Sequence, residues 1–174
     1  MAKSKNRQIV VDASVASAAG TSENPVSIDC RSFLMEFRDA SCFGVMYAEL
    51  KREWDDHSSG FAADWLASMI GAKRIVFIQR EAKLELKTKL GSVCLTKNEN
   101  NHWTKDFHLI CACLQTGKSI ASRDRKAEAV FRKLAASVQT LHKIEWFDPE
   151  RDAAHTQRWL QGKNPQKLQF CLKP

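Results

Sequence analysis

The sequence predicts an α/β protein, a three-layer α/β/α sandwich in which helices cover both faces of a central parallel sheet. Two observations carry that expectation. Short β-branched runs such as Ile9-Val10-Val11 alternate along the chain with longer segments whose apolar residues recur at helical spacing. No internal repeat, low-complexity tract or Pro/Ser-rich linker divides the 174 residues, so they read as one domain with a core of about 8–147 and a C-terminal tail of 148–174. Strands joined through helices need crossover connections, and their right-handedness leaves only a few doubly wound topologies.

Gln8 to Asp12 reads as a buried strand that ends abruptly on an acid, and the small residues from Ala13 to Thr21 suit a tight crossing out of it. Val26 to Asp39 is helical, with Phe33, Leu34 and Phe37 on one face. Phe43 to Met46 is a second strand and Tyr47 to His57 a second helix; a third helix from Phe61 to Ile70 aligns Trp65, Leu66 and Met69. Arg74 to Ile78 is a third strand, and Glu81 to Leu90 a helix stopped by Gly91. The polar run Lys97-Asn98-Glu99-Asn100-Asn101 reads as a loop, Lys105 to Thr116 as an apolar helix stopped by Gly117. Ser119 to Ser122 is a strand running towards Asp124, Lys126 to Val138 a helix, Lys143 to Phe147 a last strand, and Ala153 to Gln161 a terminal helix.

No apolar run approaches the ~20 residues of a membrane helix, and the basic start, Met1-Ala2-Lys3-Ser4-Lys5-Asn6-Arg7, lacks the apolar core of a signal peptide. A cytoplasmic protein without a membrane partner is expected. The six cysteines have no CxxC spacing, which suits small buried thiols in a reducing compartment. Twenty-seven Lys and Arg against twenty Asp and Glu give a net charge of +7, which favours a polyanionic partner. Trp54, Trp65 and Trp146 sit in apolar patterns and are read as core rather than as base-stacking platforms.

Among the acids, Asp12 and Asp124 stand out because each follows a short apolar strand. Open parallel sheets bind ligands beyond the carboxyl ends of their strands, where strand order reverses. Neighbouring first and fourth strands would place both acids on one crevice. Asp106 opens the apolar helix, where a plain N-terminal cap is the competing explanation. Glu49 and Glu53 lie one helical turn apart, and periodicity leaves either as a fourth acid. Carboxylates forced together repel unless a cation compensates, and hard cations such as Mg²⁺ or Mn²⁺ prefer oxygen ligands. Such an ion activates water towards a phosphodiester without a Ser, Cys or His nucleophile.

Three blocks resemble the PIN-domain nucleases. Ile9-Val10-Val11-Asp12-Ala13-Ser14-Val15 is similar to the family's opening strand with its first acid and a nearby hydroxyl. Lys105-Asp106-Phe107-His108-Leu109-Ile110-Cys111-Ala112-Cys113-Leu114 resembles the helix of the third acid, and Ser119-Ile120-Ala121-Ser122-Arg123-Asp124 the strand of the fourth. Leu50-Lys51-Arg52-Glu53-Trp54, followed by Trp65-Leu66, looks like a bacterial subgroup and favours Glu53 over Glu49. The resemblance implies a metal-dependent endoribonuclease acting on single-stranded RNA, with Asp12, Glu53, Asp106 and Asp124 holding Mg²⁺ or Mn²⁺ and Ser14 supporting them by hydrogen bonding. DNA is the alternative substrate, and a non-catalytic module binding nucleic acid or protein the alternative function. An antitoxin or other protein regulator and a second copy of the chain are the candidate protein partners. Extra helical material between Glu53 and Asp106, and the tail, depart from compact toxins of the family. Arg123, Arg125 and Lys126 flank Asp124 as a candidate basic rim for phosphates, with ordinary surface residues at a helix start as the favoured reading of each singly.

Overall fold

The computed structural model describes residues 7–163 and 167–173; the basic segment of residues 1–6 lies outside them. Its sheet has five parallel strands, β1 (Gln8–Val11), β2 (Phe43–Met46), β3 (Ile75–Phe77), β4 (Ser119–Ala121) and β5 (Glu145–Phe147), in the order β3-β2-β1-β4-β5. The chain steps outwards from β1 to β3, then returns to lay β4 along the other side of β1. Val10 pairs with Ile120 and Val11 with Ala121. The Asp12 amide extends the pairing by donating to the Ala121 carbonyl at 2.9 Å.

The helices are α1 (Ala13–Ala18), α2 (Pro25–Asp39), α3 (Ala48–His57), α4 (Gly60–Gly71), α5 (Leu84–Gly91), α6 (Lys97–Gln115), α7 (Arg125–Ala135), α8 (Thr156–Leu160) and α9 (Lys167–Phe170). Helices α1 to α4 and α8 pack together as one layer, and α6 packs on α7 as the other, which gives the expected three-layer sandwich. Residues Ile9 to Val11 and the whole of β4 are buried, so β1 reads as a continuous apolar run and β4 as Ile120-Ala121 behind a buried Ser119. Among the described residues no helix is long and apolar enough to cross a membrane.

Cap chemistry fixes several helix starts. Asn24 accepts from the Ser27 amide ahead of Pro25 in α2, and Ser59 accepts from the Ala62 amide at α4. The largest departure from expectation is at α6. Lys97 to Asn101 is not a loop but the helix's first turns, closed by a reciprocal capping box between Thr96 and Glu99. Its polar residues are the solvated start of a helix, and polarity alone hid the cap. Ala13 to Ala18 is likewise a short helix rather than a bare crossing, with Ala13, Val15 and Ala16 buried. In the α5 region the helix begins only at Leu84, because Lys83 takes a left-handed conformation. Gly117 does more than stop α6: a Cβ there would lie 1.9 Å from the Gln8 carbonyl oxygen, so this turn runs directly against the start of β1.

The core does not end at Phe147. Trp159 stacks on Phe147 with ring centroids 4.5 Å apart, and Phe170 packs on the same ring at 5.3 Å. The Arg7 guanidinium lies 4.3 Å from the Trp159 centroid on the sheet's opposite terminus in sequence. Cys171 bridges antiparallel to Glu145, and the Leu172 amide donates to the Ile144 carbonyl at 2.8 Å, so the outer edge of β5 is covered. The tail is therefore part of the fold. Trp54, Trp65 and Trp146 are core residues as expected. Cys30, Cys42, Cys111 and Cys113 are buried, whereas Cys94 is exposed on the approach to α6, against the expectation of burial.

Trp159→Ala should lower unfolding free energy by about 3–5 kcal/mol, since it removes a fully buried aromatic from the Phe147 stack. Urea denaturation followed by tryptophan fluorescence checks this; an unchanged midpoint would mean that the tail only lies on the surface.

Candidate functional site

Past the carboxyl ends of β1 and β4 lies a cavity of about 260 Å³ lined by Asp12, Glu53, Asp106 and Asp124, together with Ser14, Ser17, His57 and Lys105. Its volume holds several waters at about 30 Å³ each. All four expected acids meet here, although they are brought by four different parts of the fold: the end of β1, α3, α6 and the start of α7. The adjacency of β1 and β4 is what makes this one crevice.

Asp12 occupies the N-cap position of α1, yet its side chain makes no capping bond. The hydroxyls of Ser14 and Ser122 instead both donate to Oδ2, the latter at 2.8 Å. No described residue donates to Oδ1, which remains the carboxylate's available oxygen. Burial raises the Asp12 pKa above its ordinary value; the two serine hydroxyls act in the opposite sense, and the negative charge of Glu53 adds to the rise. Ser14 thus takes its expected hydrogen-bonding part, and it also accepts from the Arg123 amide at 3.0 Å. Ser122 was not singled out from sequence. It is fully buried and accepts from the Asp124 amide at 3.1 Å, linking the first and fourth acids. A hydroxyl at the end of an otherwise apolar buried strand was the available signal.

The two glutamates differ in position. Glu53 lines the cavity, whereas Glu49 is bound by the Arg80 guanidinium. The indole Nε1 of Trp54 donates to the Val11 carbonyl at 2.9 Å, which pins α3 to the last residue of β1 and sets Glu53 beside Asp12. That bond is the physical content of the Glu53-Trp54 pair.

Asp106 does not open a helix, because α6 begins at Lys97; the capping explanation fails for this residue. It lies mid-helix, 6% exposed, and no described residue donates a hydrogen bond to it. Burial, then the charges of Asp12 and Asp124, push its pKa up to about 7. Asp124 is the residue that caps: it accepts from the Ala127 amide at 2.9 Å at the start of α7 while also lining the cavity.

The candidate basic rim is corrected. Arg123 pairs with Glu150 at 3.0 Å, and Arg125 with the fully buried Asp148 at 2.6 Å and with Glu150 at 3.1 Å. These guanidiniums hold the β5–α8 connection. Lys126 is exposed but does not line the cavity. The basic side chains that do are Lys105 and His57.

Among the described residues no group of three or more His, Cys, Asp and Glu side chains is drawn tightly enough together to hold a metal ion as it stands. The donor set nevertheless fits a hard divalent cation. All four groups are carboxylates, and the buried carboxyl of Asp106 carries no donor and is forced towards protonation by its neighbours. No family model, curated protein or solved structure matches the chain.

Because the folded-state pKa of Asp106 is raised from 3.8 to about 7, the folded protein keeps a proton that the unfolded chain has lost. Stability from this group is therefore greatest below about pH 4 and falls as pH rises to about 7, levelling beyond. Asp106→Asn should flatten that decline and be more stable than the parent at about pH 8 in chelator. Urea midpoints across this pH range test it; parallel curves for the two proteins would contradict the assigned environment.

Proposed function

We propose that this chain is a metal-dependent nuclease of the PIN type that hydrolyses phosphodiester bonds of single-stranded RNA. The observation that carries the reading is the convergence, in one cavity at the reversal of strand order, of four acids from separate elements. The three motif blocks that resemble the family each contribute to that cavity. Asp12, Glu53, Asp106 and Asp124 would hold Mg²⁺ or Mn²⁺. The chemistry supplied by such a cation is Lewis acidity towards the phosphodiester and an attacking water.

The chain's own groups have definite parts in this reading. Ser14 and Ser122 occupy Oδ2 of Asp12, so that carboxylate presents Oδ1 to the cavity. Asp106, whose carboxyl burial and the charges of Asp12 and Asp124 hold towards the protonated form, would have to release that proton to serve as a ligand. The Ser14 hydroxyl is committed to Asp12 and is not a nucleophile. Lys105, exposed at the mouth and without an ion pair among the described residues, is the phosphate contact nearest the acids. It replaces the arginines that the fold commits to Glu150 and Asp148.

Purified protein with Mn²⁺ should cut end-labelled single-stranded RNA to 5′-phosphate and 3′-hydroxyl ends, and chelator should stop it. Asp12→Asn and Asp124→Asn should remove most activity with little loss of fold; asparagine preserves the α7 cap. Asp55→Asn alters only an exposed pair with Lys51 and should remain active. Cleavage that persists in chelator, or ends in a 2′,3′-cyclic phosphate, would exclude the mechanism. Inactivity on RNA and DNA alike, with binding retained, would favour a non-catalytic nucleic-acid module.

Lys105→Ala should weaken RNA binding and reduce the slope of log affinity against log salt by about 1. Lys126→Ala should change both far less. Fluorescence anisotropy of labelled RNA over a salt series distinguishes them, and equal losses would return the basic rim to the α7 side.

A further inference from the structure

Glu53 reaches the cavity from α3 with a side chain that is 36% exposed. Neither burial nor a backbone amide fixes its carboxylate. What faces it is the imidazole of His108, from α6 in the opposite helical layer, with Nε2 at 3.5 Å from Oε1. The other ring nitrogen of His108, Nδ1, lies 2.7 Å from the hydroxyl of Tyr47. Tyr47 is buried, follows β2 directly and stands at the N-cap of α3, the helix that carries Glu53. The line Tyr47–His108–Glu53 thus leaves α3, touches α6 and returns to α3 one cavity wall further on.

The direction of the hydrogen bonds follows from counting protons. A phenol has one, and burial with the nearby charges of Asp12 and Glu53 holds the Tyr47 hydroxyl well above its ordinary pKa, so it keeps that proton. Its hydrogen-bond partner among the described residues is His108, so the hydroxyl donates to Nδ1. A neutral imidazole bare at Nδ1 carries its own proton on Nε2, the nitrogen that faces Glu53. The Nε2–Oε1 contact is 3.5 Å, at the long end of such contacts.

We propose that Tyr47 and His108 are positioning residues for Glu53: the phenol fixes the imidazole in its Nε2–H tautomer, and that N–H holds the Glu53 carboxylate at the cavity. The inference rests on the metal-centre reading above, because it assigns a support to one of the four acids. Outer groups that orient a ligand are worth about 10–100-fold in metal affinity.

Tyr47→Phe is the clean variant, since it deletes one hydroxyl and keeps the ring packed edge-on against His108 at 5.7 Å. In metal-free wild type at about pH 8, where an ordinary imidazole is neutral, ¹⁵N spectra of the His108 ring should show the proton on Nε2. Tyr47→Phe should give a mixture of tautomers and bind Mn²⁺ about 10-fold more weakly by calorimetry. His108→Gln, which retains a side-chain N–H, should keep most of the affinity, and His108→Leu should lose about 10–100-fold. A wild-type ring protonated at Nδ1, or Tyr47→Phe binding Mn²⁺ as tightly as a wild type that binds it, overturns the proposal and leaves the metal centre standing. Wild type that binds no Mn²⁺ overturns the metal centre and this support with it.

Discussion

The pairing of β1 with β4 joins strands separated by most of the chain, and the rest of the site depends on it. At that seam the strand order reverses, and Asp12 leaves β1 just where Ser122 leaves β4. A carboxylate buried at such a point is unfavourable unless something answers its charge. Two hydroxyls, one from each side of the seam, answer it in part. The indole of Trp54 then grips Val11, the residue before Asp12, and brings α3 over the seam from one layer. Helix α6 reaches over from the other layer with Asp106.

The distribution of charge follows a related rule. A net charge of +7 suggests a broadly basic surface, but many arginines are engaged inside the fold. Arg132 and Arg151 both bind the buried Glu128, and Arg125 binds the buried Asp148. Breaking one partner of such a pair would strand the other without solvent. The acids of the cavity have no arginine partner among the described residues; Glu53 has the His108 imidazole at 3.5 Å, and Lys105 and His57 line the same cavity. Buried acids elsewhere are thus neutralised by arginines, whereas the cavity draws four carboxylates together with only Lys105 and histidines beside them.

Much of this was legible in residues read singly. The five strands fall close to the segments that predict them, and the signal is plainest at β1, whose buried Ile9-Val10-Val11 leaves an unbroken apolar run. Asp12 and Asp124 were visible for the same reason, as charges that end such runs. Asp106 was found by resemblance but placed wrongly in its helix, since the solvated turns before it look like a loop by composition. Ser122, Tyr47 and His108 were missed. Each is an ordinary polar residue whose role exists only once α3, α6 and two strands meet, and no local pattern encodes a contact between helices on opposite faces. The tail was legible only in part: the helix expected over Ala153 to Gln161 is present as a 3-10 turn and α8, but that Trp159 and Phe170 pack on the ring of Phe147 has no local pattern.

The closing of the β5 edge has a consequence in time. Arg7, beside the first strand, lies over Trp159, and Leu172 bonds the residue before β5, so the earliest and latest described segments share one core. β1 itself must wait for β4 before its second edge is filled. During synthesis, the emerging N-terminal half exposes β-branched strand edges with no partner yet made, a state open to association with other chains. Contacts of such long sequence separation also slow the final closure. A ribosome-bound chain would therefore possess Asp12 and Glu53 long before it possessed the cavity, and assembly of the site would be among the last events of folding.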